Sequence, residues 1–216
     1  MSDQRANPET HPESSAAVVS AAVKGDREAL TLLWDASRRW VAAVILAHKP
    51  RDADLEDLLQ QVAMQVCRKI DTLDDPRAFR GWLRAIAVNT ARAEGRKTTR
   101  RKRSMLRLVG MGGVRDAPDE RADELASGSE ESRRIYHAAR SLPAGYREPV
   151  LLRCLQSMSY EQIGETMGLP VTTIETRIAR GRRMLREMLA HEQNQGQKHE
   201  SPRRASMQGS AIGGAP

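Results

Sequence analysis

Between Ser159 and Thr173 the chain carries a start, a stop and a second start for helices. Ser159 with Gln162 three residues later is a capping box, in which the hydroxyl accepts from the N–H of Gln162 while the amide side chain reaches back to the N–H of Ser159. Periodic sequence continues to Met167, and Gly168 follows where a left-handed residue is wanted. Pro170, then Val171, Thr172 and Thr173, open the next helix. Along it Val171, Ile174, Ile178 and Leu185 recur at helical spacing, which turns Thr172, Thr173, Glu175, Thr176, Arg177 and Arg180 outward. A helix, a tight turn and a second helix bearing short polar and Arg side chains make a helix-turn-helix, the device that sets a helix into a major groove.

The rest of the chain reads as helix too. Aromatic residues are 3% of 216, a poor basis for an all-β core. Leu30, Leu33, Trp34, Val41, Val44 and Ile45 mark one helix after Asp26, whose carboxylate can cap it. Leu55, Leu58, Leu59, Val62, Val66 and Ile70 mark a second, ended at Asp74-Asp75-Pro76. A third runs from about Pro76 through Trp82, Leu83 and Ile86. Residues 104–132 break the pattern with Gly110 to Gly113, Pro118 and Gly128 among acids, and read as a linker. The expected fold is all-α, two small helical domains joined by a flexible linker. The first spans 15–103 and the second, with the helix-turn-helix, 133–191. Residues 1–14 and 192–216 are expected to be disordered. Pro149 is expected in a distorted first turn, where its missing N–H is harmless.

Charge separates the function classes. The formal net charge is +7, but residues 92–103 alone carry seven Lys/Arg against Glu94, and 177–186 carry five Arg and no acid. Two basic stripes on a mildly acidic background are the footprint of a nucleic-acid binder. The longest apolar run, Val41 to Ala47, is far short of the ~18 residues of a membrane span, and Met1 to Ser15 has neither the cationic start nor the apolar middle of a secretory signal. A cytoplasmic protein without a membrane partner is expected. Cys67 and Cys154 stand alone, the five histidines are scattered, and no catalytic or phosphate-loop motif occurs, so no metal, cofactor or catalytic residue is expected. Asp71, Asp74 and Asp75 could imitate a nuclease metal site, but an acidic turn at a helix end accounts for them more simply.

The segment LPAGYREPVLLRCLQSMSYEQIGETMGLPVTTIETRIARGRRMLREML closely resembles region four of extracytoplasmic-function (ECF) sigma factors. Upstream, GDREALTLLWD, DLEDLLQQVAMQV and FRGWLRAIAVNTARAEGRK resemble region two of the same family, in the same order. The resemblance implies a promoter-specificity subunit with no catalysis of its own. It would bind the clamp helices of RNA polymerase core through Asp54, Glu56, Asp57, Gln60 and Gln61. It would meet a minus-ten promoter element through Arg80, Trp82, Asn89, Arg92, Arg96 and Lys97. The minus-thirty-five DNA would fall to Thr172, Thr173, Glu175, Thr176, Arg177, Arg180 and Arg183, and a separate anti-sigma factor is a possible third partner. The sequence departs from the family at Ala63 and Cys67, where aromatics are frequent, at Ala93, where Asp is common, and at Glu175, where Lys is common. The other reading is an autonomous helix-turn-helix transcriptional regulator, which would leave the first domain without a role.

Overall fold

Asp26 starts the second helix of the first domain as its sequence suggests: its carboxylate accepts from the N–H groups of Glu28 at 2.9 Å and Ala29 at 3.1 Å. The computed structural model describes residues 16–109 and 136–205. Helices α1 (Ala16–Val23), α2 (Arg27–His48), α3 (Leu55–Lys69) and α4 (Phe79–Val109) form the first bundle. After a helical stretch at 136–140, α5 (Ala144–Gln156), α6 (Tyr160–Met167) and α7 (Val171–Ala205) form the second. Two short 3-10 turns, Ile70–Thr72 and Pro76–Ala78, carry the chain from α3 to α4. Every regular element among the described residues is helical, as the periodicity requires. No described helix is long and apolar enough to cross a membrane.

The apolar positions of α2, α3 and α4 meet in one core: Leu33, Leu55, Leu58, Leu59, Val62, Leu83 and Ala87 are all at or below 1% exposed. Gln65 of α3 donates to the Thr90 hydroxyl of α4 at 2.8 Å, and Thr90 in turn donates to the Ile86 carbonyl. In the second bundle Tyr136, Leu142, Leu151, Leu152, Ile163 and Ile174 are equally enclosed.

The two bundles share a wall. From Trp40 to Ala47 every residue of α2 is buried, because α3 and α4 pack on one flank of the helix and α5 on the other. The run Val41 to Ala47 is apolar on all sides for that reason: a helix with no polar face is covered all round. Helix α6 also packs against α4.

Three sequence expectations need correcting. Pro149 lies inside α5, beyond the first turn, and is buried there. Its missing N–H leaves the carbonyl of Gly145 without an intrahelical donor at the rim of the bundle, where Gly145 is exposed. Helix α4 continues to Val109, beyond the domain limit at 103, and α7 continues to Ala205, into the tail expected to be disordered. The α7 extension is rich in Arg, Lys, Gln and Glu, which favour helix without needing an apolar face, and the α4 extension continues the helix with Met105, Leu106, Arg107 and Leu108, good helix formers as well. Residues 1–14 and most of the linker lie outside the described residues.

Candidate nucleic-acid interface

The helix-turn-helix is built as its sequence specifies. Ser159 Oγ accepts from the N–H of Gln162 at 3.1 Å and Gln162 Oε1 accepts from the N–H of Ser159 at 2.9 Å, closing the capping box. Gly168 ends α6 at φ 65°, a conformation that glycine adopts without steric cost. A second left-handed cap, Ser157 at φ 52°, ends α5 and carries no such signal in the sequence.

Helix α7 then presents its N-terminal half to solvent. Thr172, Glu175, Thr176 and Arg180 are exposed, Thr173 and Arg177 half-buried. With Gly145 and Tyr146 of α5, Thr172, Thr173, Thr176, Arg177 and Arg180 line a groove of about 450 Å³. Thr176 Oγ1 donates to the Thr172 carbonyl at 2.8 Å, so its free lone pairs face outward as acceptors for a base amine. Glu175 offers a second acceptor on the same face. Arg177 and Arg180 form no ion pair among the described residues, which leaves both guanidinium groups available to a base edge or a phosphate. Arg183 lies a turn further on and approaches Glu187 at 3.7 Å, both exposed.

The other basic surface lies on α4. Arg92, Arg96, Lys97 and Arg100 line a groove of about 1280 Å³ with Ala93, Gly95 and Thr99, and His48 at the end of α2 closes one side. Lys97 pairs loosely with Glu94 at 3.4 Å. Asn89 is exposed but does not line this groove. Trp82 is half-buried, its ring 6.1 Å from that of Phe79 and packed on the core. Arg80 is held elsewhere, in a cleft between the bundles with Asp35, Arg39, Trp40 and Gln162. Burial there pushes its guanidinium below the ordinary value, with the Glu165 carboxylate of α6 pulling it back.

On α3, Asp57 and Gln60 are exposed and Gln61 is half-buried. Asp54 is occupied as the cap, accepting from the N–H of Asp57 at 3.0 Å. Glu56 is held by Arg38, whose Nη2 lies 2.7 and 2.9 Å from its two oxygens. Sequence reasoning passed over Arg38 and Met64; the latter is 45% exposed on the same helix. Their signal is simple: neither falls in the apolar register of its helix.

A polar cluster between the bundles was also missed. Glu148 of α5 is 1% exposed. Its Oε1 accepts from Arg84 Nε at 2.5 Å and its Oε2 from Arg84 Nη2 at 2.8 Å, while His48 Nε2 stands 2.8 Å from Oε2. Burial pushes the Glu148 carboxyl up, but hydrogen bonds and charge from His48 and Arg84 outweigh it and leave the group below its ordinary value. The hydrogen bond to Glu148 raises Arg84 in turn. Among the described residues no group of three or more His, Cys, Asp or Glu could hold a metal ion.

Two helical bundles, the second a helix-turn-helix beside a basic groove, define a DNA-binding protein. The model of sigma-70 region 2 matches residues 33–101 and that of sigma-70 region 4 matches residues 132–185. The chain is 32% identical over 177 residues to the ECF RNA polymerase sigma-E factor of Haemophilus influenzae, covering 78% of this chain and 92% of that protein. It is 31% identical over 170 residues to the ECF RNA polymerase sigma-E factor of Escherichia coli K12, covering 76% of this chain and 88% of the relative. Among solved structures it resembles CnrH in complex with the cytosolic domain of CnrY, with a TM-score of 0.57 at 23% identity over 82% of this chain and 98% of that one, a likeness of fold. The chain belongs to the ECF sigma-factor family. As such it directs RNA polymerase to promoters, and the alternative of a self-sufficient helix-turn-helix regulator gives way, since it has no use for a region 2 domain.

Proposed function

We propose that the two bundles divide the promoter between them. The first, about 15–103, meets the minus-ten element through Arg92, Arg96 and Lys97 on α4, assisted by Asn89, Trp82 and Arg80. The second, about 133–191, sets the start of α7 into the major groove at the minus-thirty-five element. There Thr172, Thr173, Glu175, Thr176 and Arg177 face base edges, and Arg180 and Arg183 face phosphates. The exposed stripe of α3, with Asp57 and Gln60 at its centre and Asp54, Glu56 and Gln61 beside them, meets the clamp helices of core polymerase. The chain works by binding, without a catalytic step or cofactor of its own, and acts in the cytoplasm. An anti-sigma factor is a third partner, consistent with the capture of CnrH in complex with the domain of CnrY.

The observation that carries this reading is the order of the two matches, region 2 before region 4, in a chain whose second match contains the groove of Thr172, Thr176 and Arg177. Run-off transcription with core polymerase on a promoter library tests it. Transcripts should start downstream of a shared pair of elements, and should fail to appear with either component alone. A chain that protects DNA equally well without core polymerase would support the stand-alone regulator.

A further inference from the structure

Glu148 belongs to the second bundle, yet both partners of its carboxylate, Arg84 of α4 and His48 of α2, belong to the first. Next to it Arg147 donates through Nη1 to the carbonyl of Ala47 at 3.0 Å, again across the boundary. These contacts hold α5 against α2, and in that arrangement α6 faces the start of α4, where Arg80 is half-buried opposite Glu165. Domains of this size in contact lie ~30 Å apart, centre to centre, whereas DNA sites two helical turns apart are separated by ~70 Å. The arrangement described is therefore incompatible with both bundles reading their elements at once.

We propose that Glu148 is a clasp: it closes the two bundles on each other in the free chain, and it must release before the factor can occupy a promoter. The choice of a buried ion cluster suits a contact that has to open. Its members attract one another strongly when dry but recover their hydration when parted, so the cluster adds only a small net preference for the closed form to that of the apolar seam between α2 and α5 beside it. Substitution of one partner, by contrast, leaves the others buried and unsatisfied and tips the balance toward opening. His48 ties the clasp to the basic groove of α4, which it also lines.

This inference rests on the promoter reading for its purpose but not for its measurement. The test is small-angle X-ray scattering of the full chain, with circular dichroism alongside, for the native protein, Glu148→Gln and Arg84→Gln. The native chain should be compact. Each variant should keep its helicity and expand, with the ratio of open to closed forms raised on the order of tenfold or more, and each should need correspondingly less core polymerase to saturate transcription. Variants that keep both the native radius of gyration and the native requirement for core polymerase would overturn the clasp. If Glu148→Gln loses helicity, Arg84→Gln decides the question from the other bundle. If the variants expand but no form of the protein directs core polymerase to a promoter, the promoter reading falls and the clasp remains as a domain contact.

Discussion

Gly181 of α7 and Val150 of α5 lie so close that a Cβ added to the glycine would stand 2.5 Å from Val150 Cγ2. The two helices cross there with backbone against side chain, and the contact fixes how the recognition helix is carried by α5. Gly181→Ala should destabilise the second bundle by about 1–3 kcal/mol through overpacking, measured as a lower urea midpoint for loss of helicity. Adding Val150→Ala should recover part of the loss. A glycine variant with native stability would show that α7 is free to shift.

Glu148 also gives the protein a sign of pH dependence. Its carboxyl in the folded chain lies below the ordinary value of 4.5. The stabilisation it supplies is therefore complete above that value and disappears as pH falls through the lower folded-state value. At pH 7 Glu148→Gln should cost about 1.5–3 kcal/mol, the range for a hydrogen bond to a charged group. The gap between native and variant urea midpoints should close as the acid is titrated. A gap that persists unchanged well below pH 4.5 would mean that the Gln variant suffers from packing rather than lost charge.

The exposed stripe of α3 predicts a separation of binding from folding. Leu58, Leu59 and Val62 already fill the apolar face of the helix, so Asp57→Lys with Gln60→Lys leaves the core intact. Reversing a charge in the first turn costs at most about 2 kcal/mol, an acid lost and a cation gained beside the helix N-terminus. Co-purification with core polymerase should nevertheless be lost. Retained binding would move the polymerase contact off this face.

On α7, reading and gripping should come apart. Within the polymerase holoenzyme, Arg177→Ala should cost ~1–3 kcal/mol on the preferred site and relax the choice of base at one position. Arg183→Ala, whose side chain is exposed and only loosely paired with Glu187, should weaken all sequences alike and lower the salt slope by ~1. Affinity for a randomised minus-thirty-five library at two salt concentrations distinguishes them. An Arg177 variant with unchanged base preference would make that residue a phosphate contact.

The local architecture was legible wherever a residue's own chemistry determines its backbone. Asp26, Ser159 with Gln162, and Gly168 all occupy the terminal positions that their side chains, or lack of one, suit. Ser157 was not legible, because serine, unlike glycine, has no preference for the left-handed region in which it ends α5. The same holds for the clasp. Periodicity says which face of a helix is covered, but Arg84 and Glu148 carry charge and so register as solvent-facing until the other bundle supplies their partners. Grouping the DNA-facing residues had a similar limit: Arg92, Arg96 and Lys97 share a groove, while Arg80 sits in the inter-bundle cleft, a separation set by tertiary packing.

The enclosed half of α2 has a consequence for the life of the protein in a crowded solution. When the bundles part, the flank of Trp40 to Ala47 that α5 covers is uncovered, and its residues are apolar throughout. Newly bared surface of that kind recruits whatever apolar surface is nearest. A factor that opens away from its proper partners is thus exposed to self-association and to the proteases that act on incompletely covered chains. Its abundance becomes tied to the number of polymerases ready to receive it.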